Sequence, residues 1–224
     1  MAVVLFLFLL IPLFATAQTL QVGLSDVGPF AYEEKGQLKG INYDILSQLA
    51  KEAGLIFEYN LYPHARLVNA METSNPDLAI FFSVSCMKYE KHYEIQDKLY
   101  EASPRIYLKA SVDLKQKNVR IGRLRGTCTE LIDQYVKPDR LTEVTSMDQA
   151  IEMLKSNRLQ GVCALPSVFN FAKDKAHYEE KLVTSLKNEK PLEAVLCRKK
   201  SLPEETKRKL EAAAKKLKKI HLED

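Results

Sequence analysis

The chain has 224 residues, a net charge of +4 and 46% hydrophobic residues, which is enough for one large or two small packed domains. Its basic residues are mixed with acidic ones, and they form no basic groove interleaved with aromatic residues. These features exclude nucleic acid as the expected partner.

Residues 1–17 carry no charged side chain, and the small residues Ala15 and Ala17 follow an almost wholly apolar run. This pattern is typical of a secretory signal peptide that is cleaved after Ala17, so that the mature chain begins at Gln18. A membrane anchor is the alternative, but the apolar run is shorter than the ~20 residues that a spanning helix needs. No second long apolar run follows, and we therefore expect an exported protein.

The cysteines of an exported chain meet an oxidising compartment, where disulfide pairing is possible. The four are Cys86, Cys128, Cys163 and Cys197. Their spacing is too wide for a zinc site. Cys163 and Cys197 both lie in apolar, strand-like runs, and the sequence leaves open whether a bridge forms or both remain buried thiols.

The first half of the chain alternates strand-like and helix-like patterns. The predicted elements are strands over 20–24, 56–61 and 78–82 and helices over 41–53 and from Pro63. Gly54 is expected to end the first helix in a left-handed cap. A strand, helix, strand, helix, strand order predicts an α/β lobe with right-handed crossovers.

The same order repeats in the second half and predicts a second α/β unit. Its elements are strands over 119–122, 141–145 and 161–165 and helices over 127–136 and 147–155. Capping boxes are predicted at both helix starts, where Thr127 is followed by Glu130 and Ser146 by Gln149.

Two extended apolar segments, over 106–110 and 194–198, stand at either end of the second unit. They are predicted to pass between the lobes and to form a two-strand hinge. An amphipathic helix follows from Ser201, which forms a third capping box with Glu204. Its lysine-rich face is predicted to be solvated.

The loops that follow the strands are the candidate binding site, because open α/β sheets bind ligands beyond the carboxyl ends of their strands. Asp26 and Phe30 follow the first strand. Arg66 follows the second strand, near a helix start, and arginine binds a carboxylate through two parallel hydrogen bonds. His64, two residues earlier, is predicted to be a surface residue.

The next two candidate loops add hydroxyl groups and positive charge. Ser83, Ser85 and Lys88 follow the third strand. The loop at the start of the second unit contains Arg125, Gly126, Thr127 and Cys128. A glycine just before a helix lets backbone amides approach an anion, and the helix dipole favours negative charge there.

The opening run resembles the start of the family-3 extracytoplasmic solute-binding proteins of the amino-acid type. It reads Leu20-Gln21-Val22-Gly23, Pro29-Phe30-Ala31-Tyr32 and Gly40-Ile41-Asn42-Tyr43-Asp44. The resemblance extends over nearly the whole mature chain and implies a type II periplasmic-binding fold, with two Rossmann-like lobes joined by a two-strand hinge. Lobe I would comprise residues 18–105 and 198–224, and lobe II residues 106–197 with the hinge crossings.

The resemblance also implies a function. It implies a monomeric receptor of the periplasm that closes on a small molecule and delivers it to the membrane permease of an ABC-type importer, without a cofactor or metal. The Ser83 to Lys88 stretch is similar to the family's Ser-x-Thr-x-x-Arg, and Gly126-Thr127-Cys128 to its Gly-Thr-Thr; both hold the carboxylate of an amino acid.

Three further positions depart from the family pattern. Val27 stands where the family has an aromatic residue that stacks on the cargo, Lys88 takes the place of the carboxylate-binding Arg, and Leu165 that of the Asp that binds the ammonium. An apolar residue cannot compensate a buried ammonium, which costs several kcal/mol when unpaired. We therefore expect a small anionic solute, either a carboxylate or an atypical amino acid.

The sequence contains no Ser-His-Asp, Cys-His or metal-ligand constellation, and we therefore expect a binding protein and not an enzyme. Two alternatives remain open. One is a periplasmic enzyme of the cyclohexadienyl dehydratase kind, for which Asp26 is the obvious carboxylate in the cleft. The other is a sensory protein that uses the same cleft to signal to a membrane partner.

Overall fold

The computed structural model of the protein describes residues 19–73, 75–187 and 191–217. The predicted signal peptide, over 1–17, and the end of the predicted lobe I, over 218–224, lie outside the described residues. Within the described ranges, no helix is both long enough and apolar enough to cross a membrane.

Strands and helices alternate along the described chain. The strands are β1 (Thr19–Ser25), β2 (Tyr32–Glu34), β3 (Gln37–Lys39), β4 (Ile56–Tyr62), β5 (Leu78–Phe82), β6 (Tyr93–Ala102), β7 (Arg105–Lys109), β8 (Ile121–Leu124), β9 (Leu141–Val144), β10 (Gly161–Ala164), β11 (Leu182–Lys187) and β12 (Leu192–Lys199). The helices are α1 (Ile41–Ala53), α2 (His64–Glu72), α3 (Ser83–Met87), α4 (Thr129–Tyr135), α5 (Met147–Lys155), α6 (Pro166–Lys175) and α7 (Glu204–Ala214). Strands β2 and β3 form a small hairpin between β1 and α1.

The first lobe is built on a five-stranded sheet of order β4-β1-β5-β12-β6. Strand β1 pairs in parallel with β4 and β5, whereas β12 runs antiparallel to both β5 and β6. Leu78, Ala79, Ile80 and Phe81 are all buried, as expected of a strand covered on both faces.

The second lobe repeats this plan with the sheet order β11-β7-β10-β8-β9. Strand β8 is parallel to β9 and β10, and β7 is antiparallel to β10 and β11. In each sheet, one antiparallel strand comes from the half of the chain that forms most of the other lobe: β12 in the first sheet and β7 in the second. The predicted architecture of two α/β lobes is confirmed.

The segments predicted as hinge crossings are strands within the sheets. Residues 106–109 belong to β7, and 194–198 belong to β12. The chain passes from the first sheet to the second at Ser103 and Pro104, and it returns between β11 and β12. The backbone N–H and C=O groups of a buried extended segment need hydrogen-bond partners, and a neighbouring strand supplies them. Such a segment therefore becomes a strand of a sheet and does not act as a linker between the lobes. Strand β12 thus pairs in the first sheet, although most of it fell in the predicted lobe II.

Two of the predicted helix signals are confirmed. Gly54 caps α1 in the left-handed conformation, with φ 62° and ψ 38°. At the start of α5, the Gln149 amide donates to Ser146 Oγ at 3.1 Å, while Gln149 Oε1 accepts from the Thr145 amide at 2.9 Å. The predicted cap bond to Ser146 is therefore present, whereas the side chain of Gln149 reaches back one residue further than in a capping box, to Thr145.

The other two capping boxes are wrong. Helix α4 begins after Cys128, whose φ of 56° is left-handed, and Thr127 Oγ1 instead donates to the Leu124 carbonyl at 2.8 Å. Helix α7 begins after Pro203, beyond Ser201. In both cases the residue that directly precedes the helix has an unusual or restricted backbone: Cys128 is left-handed, and Pro203 has a fixed φ. These residues, and not the predicted hydroxyl caps, determine where the helices begin.

The cysteine pairing that the sequence left open is resolved by topology. Cys86 of α3 forms a disulfide with Cys197 of β12, with the two Cα atoms 6.0 Å apart. Cys163 lies on β10 in the other sheet, so it cannot pair with Cys197, and it remains free together with Cys128. The disulfide therefore ties two parts of the first lobe together.

Candidate ligand-binding site

A pocket lies between the two sheets and is referred to below as the central pocket. Residues at or just after four strand ends line it: Ser25 of β1, Phe82 of β5, Leu124 of β8 and Leu165 after β10. This is the edge at which open α/β sheets bind ligands. The pocket encloses about 180 Å³, which suits a small solute.

Most side chains that face the central pocket are apolar. Phe30 stacks on Tyr100, with ring centroids 5.6 Å apart and planes 3° apart. Leu124, Met147 and Leu165 line the opposite side, from the second lobe. A solute that covers such walls gains about 25 cal/mol per Å² of apolar surface removed from water.

A buried hydrogen bond holds the aromatic wall in place. Tyr100 Oη donates to Asn42 Oδ1 at 2.8 Å, and both side chains line the central pocket. Burial raises the pKa of Tyr100, because a phenolate would lose its hydration. The hydroxyl therefore stays protonated as a donor. Asn42 belongs to the opening run that marks the family, whereas no sequence signal singled out Tyr100.

His64 lines the central pocket, and its prediction as a surface residue is wrong. Ser25 Oγ and His64 Nδ1 are 3.0 Å apart and form a hydrogen bond. Burial lowers the pKa of His64, so the neutral ring is favoured. The ring also faces the second lobe, since a Cβ placed on Gly126 would lie 4.0 Å from His64 Cδ2.

Two charged side chains of opposite sign stand at the pocket wall. Among the described residues that line it, Lys88 of the first lobe is the only Lys or Arg, and Glu130 of the second lobe the only Asp or Glu. Both are solvent-exposed, so each charge remains hydrated at the margin of an apolar cavity.

The structure brings together six of the ten residues predicted for the site. The residues that line the central pocket are Phe30, Ser85, Lys88, Gly126, Thr127 and Cys128. Leu165 also lines it, at the position where the family pattern has an acidic residue. The predicted residues outside the lining are Asp26, Arg66, Ser83 and Arg125.

The face that α2 buries explains why Arg66 lies outside the pocket lining. Leu67 and Met71 are fully buried and, with His64, occupy one face of the helix at positions i, i+3 and i+7. Arg66 lies about 100° around the helix from Leu67, and it is exposed. The arrangement that brings His64 to the pocket therefore directs Arg66 to solvent.

Asp26 and Arg125 have other neighbours. Arg125 Nε is 3.3 Å from Glu143 Oε2, and the Arg125 side chain is 60% exposed. The pKa of Asp26 is raised, mainly by burial; Lys175 opposes this effect and Asp148 adds to it. Since Lys175 and Asp148 belong to the second lobe, Asp26 lies at the mouth of the cleft, facing that lobe.

The lobes touch at the same mouth. The ring of Tyr32 packs on Phe171 of α6, with centroids 4.8 Å apart. A Cβ on Gly28 would overlap the Phe171 ring. Absence of a side chain at Gly28 is therefore what allows α6 to approach the loop after β1.

Two lobes of identical sheet order around one shared pocket define a two-lobed ligand-binding protein. The sequence profile of the bacterial extracellular solute-binding proteins, family 3, matches residues 20–221. The protein belongs to this family, whose members bind small molecules outside the cytoplasm and work with ABC permeases. The predicted family membership is thereby confirmed.

Solved structures of similar proteins confirm the two-lobed fold. The arginine-, lysine-, histidine-binding protein ArtJ from Geobacillus stearothermophilus is 21% identical, with 88% of each chain covered and a TM-score of 0.72. A Salmonella typhimurium periplasmic binding protein with high arginine specificity is 18% identical, with 89% of this chain and 93% of that chain covered and a TM-score of 0.72. The VFT2 domain of Bordetella pertussis BvgS is 15% identical, with 90% and 88% covered and a TM-score of 0.68. No curated protein matches the sequence.

Proposed function

We propose that this protein is an exported receptor that closes two lobes on a small carboxylate-bearing solute with an apolar body and delivers it to an ABC-type importer. The observation that carries the proposal is the composition of the central pocket, in which an apolar wall meets Lys88, the only Lys or Arg among the described residues that line it. A monomeric protein of the periplasm, with a signal peptide cleaved after Ala17, is part of the same proposal.

The polar end of the solute is assigned to the first-lobe side of the pocket. Lys88 follows α3, and Ser85 lies on α3 with its side chain in the pocket wall. An ammonium and a hydroxyl are both donors to a carboxylate, and a hydrogen bond to a charged group contributes about 1.5–3 kcal/mol. Lysine acts as a point charge without the fork of arginine, so it selects charge more than shape.

The second-lobe wall disfavours a buried ammonium. Leu165 and the neighbouring Ala164 and Val168, which have apolar side chains, line the pocket at the end of β10 and the start of α6. A relative such as the Geobacillus protein binds arginine, lysine and histidine. A cationic side chain of that kind would have Glu130 as its only carboxylate partner among the described lining residues.

Glu130 supports a second candidate, a zwitterionic amino acid with an apolar side chain. In this alternative, Lys88 binds the carboxylate and Glu130 replaces the absent acidic residue at position 165. Glu130 is solvent-exposed, as Lys88 is, so exposure weakens both attractions alike. The apolar wall around Leu165 is what favours a solute without an ammonium.

The Ser25 and His64 pair raises the enzyme alternative, since a serine beside a histidine is a nucleophile and base arrangement. Among the described residues, no hydrogen bond or ion pair joins His64 to a carboxylate, and its Nδ1 is taken by Ser25, so the ring lacks the third member of a triad. We therefore propose that the pair lines a binding site and performs no catalysis.

A matched set of three ligands tests the proposal by thermal shift and calorimetry. The set is 4-methylpentanoate, its neutral amide and leucine, repeated with a phenyl in place of the isobutyl group. We expect the acids to raise the melting temperature, the amides to have no effect and the amino acids to bind more weakly than the acids. Amino acids that bind more tightly than the acids, and lose this advantage in Glu130→Gln, would establish the second candidate. Amides that bind as well as the acids would overturn both.

A further inference from the structure

Two free thiols meet on the second-lobe side of the central pocket. Cys128 immediately precedes α4, and Cys163 lies on β10; both belong to one packed cluster of the second lobe, and both line the pocket. They pack together with Leu131 and Ile132 of α4. The remaining two cysteines of the chain are already bonded to each other in the first lobe.

A cation stands beside this thiol pair. Arg123 of β8 is the register partner of Cys163 across the two parallel strands, so their side chains share a face of the sheet. The Arg123 side chain is 12% exposed; its Nη2 is 3.2 Å from Glu143 Oε1 and its Nη1 3.9 Å from Asp133 Oδ1, while its buried Nε has no hydrogen-bond partner. Burial raises the pKa of Cys163, and the charge of Arg123 opposes that effect. Arg123 therefore offsets part of the cost that burial places on a Cys163 thiolate.

The two sulfurs differ in access. Cys163 is buried, whereas Cys128 is half-buried and sits in the exposed turn that contains Gly126. An oxidant that enters the pocket therefore meets Cys128 first, with Cys163 next to it as the second thiol.

We propose that Cys128 and Cys163 form an oxidisable dithiol in the wall of the ligand pocket, with a low-molecular-weight disulfide as its oxidant. The Cys128 thiolate attacks one sulfur of the small disulfide, forms a mixed disulfide and releases the first small thiol. The Cys163 thiolate then attacks Cys128 Sγ, closes the protein disulfide and releases the second small thiol. The protein loses two electrons and two protons, which reduce one small disulfide to two thiols.

The bond would change the pocket locally. It joins the turn before α4 to β10 within the second lobe, and it removes two thiol groups from the wall that faces the solute. This inference depends on the position of the two cysteines and does not depend on which solute binds.

The test uses the full mature chain with its Cys86–Cys197 bond intact. The protein is equilibrated in buffers of oxidised and reduced glutathione, its free thiols are trapped with N-ethylmaleimide, and it is analysed by mass spectrometry after tryptic digestion. We expect both free thiols to disappear together as the buffer becomes oxidising, with one cross-linked peptide pair containing Cys128 and Cys163. Thiols that stay reactive in every buffer, or that end as two separate glutathione adducts, would overturn the proposal. This readout needs no variant, so it does not depend on how a substitution affects folding.

Two serine variants test the order of the steps. Cys163→Ser is expected to hold glutathione on Cys128 as a stable mixed disulfide, because the resolving thiol is absent. Cys128→Ser is expected to leave the buried Cys163 unmodified until the protein is unfolded. Equal glutathione uptake by both variants would overturn the assignment of Cys128 as the attacking thiol.

The role of Arg123 is tested by the rate of bond closure. Arg123→Gln is expected to slow closure severalfold and to shift its pH dependence upward, while the exposed Arg120→Gln serves as the matched control and is expected to leave the rate unchanged. Arg123→Lys retains the positive charge and is expected to restore most of the rate. An unchanged rate and pH profile in Arg123→Gln would contradict the role assigned to this cation.

Discussion

At the scale of single residues, the site depends on which side chains the elements turn inward. The sequence predicts Phe30, Ser85 and Lys88 because they follow strand ends, where a ligand is expected. It does not predict His64, because its partner Ser25 is 39 residues away in the chain. The face shared with Leu67 and Met71 was a usable signal, since buried neighbours at i+3 and i+7 indicate that position i also faces inward.

His64 predicts a pH dependence of stability. Burial lowers its pKa below the ordinary value of 6.5, so between the two pKa values the unfolded chain binds more protons than the folded one. Stability contributed by the neutral ring is therefore present above about pH 6.5 and is lost as the pH falls toward the folded pKa. We expect urea unfolding to show this slope between pH 7 and 5, with a smaller slope in His64→Gln. His92→Gln, outside the pocket, should retain the slope; an equal slope in His64→Gln would contradict the argument.

The Tyr100 hydroxyl predicts a measurable contribution to folding. Tyr100→Phe removes the donor to Asn42 and leaves a buried amide oxygen without its partner, which should cost about 1–3 kcal/mol in the free energy of unfolding. Denaturant unfolding checks this value. The double variant with Asn42→Leu removes both polar groups, and recovery of part of the loss there would identify the unpaired amide as its cause.

At the scale of elements, the alternation of strand and helix patterns predicts the three parallel strands of each sheet. It gives no prediction for the edge strands β6 and β11. The start of α4 could not be predicted in the same way. Thr127 and Glu130 have the spacing of a capping box, but the left-handed backbone of Cys128 takes the capping position. A spacing rule does not report backbone conformation, and it therefore fails where a turn tightens just before the helix.

The disulfide between Cys86 and Cys197 predicts a stability difference at this scale. It connects α3 to β12 across 111 residues of sequence, and loss of such a bond from a small exported domain costs about 2–5 kcal/mol. The double variant Cys86→Ser and Cys197→Ser should unfold at lower urea concentration by a corresponding amount. A reducing agent should lower the stability of the wild-type chain by more than that of the double variant. Equal stability of the two proteins under oxidising conditions would contradict the structural role of the bond.

At the scale of the whole molecule, the chain places one pocket between two lobes that meet at Gly28, Tyr32 and Phe171. The two-lobed plan follows from the repeated order of elements in the sequence. The place where the chain crosses between the lobes does not follow from the sequence. The segments of β7 and β12 are predicted from the sequence to be the crossings, and only their pairing in opposite sheets shows that they are strands. The contact of Phe171 with Gly28 also escapes sequence analysis, because it joins a helix of one lobe to a loop of the other.

This contact predicts a defined effect on lobe closure. Gly28→Ala places a methyl group against the Phe171 ring, so the variant should close less completely and bind its solute at least severalfold more weakly. Small-angle scattering with and without solute measures the closure. The double variant with Phe171→Ala makes room for the methyl group, and we expect it to close further than Gly28→Ala alone. Full closure and full affinity in Gly28→Ala would contradict a role for the contact.

The central claim is that Lys88 binds the carboxylate of a largely apolar solute. The direct measurement is the calorimetric affinity of the best carboxylate from the matched set for the wild type, Lys88→Met and the control Lys91→Met. Lys91 is also exposed but lies outside the pocket lining. Loss of one hydrogen bond to a charged group, weakened by the exposure of Lys88, predicts about 10-fold weaker binding by Lys88→Met. The affinity of Lys91→Met is expected to be unchanged, and the neutral amide is expected to bind none of the three proteins. Equal affinity of the wild type and Lys88→Met for the carboxylate would contradict the claim.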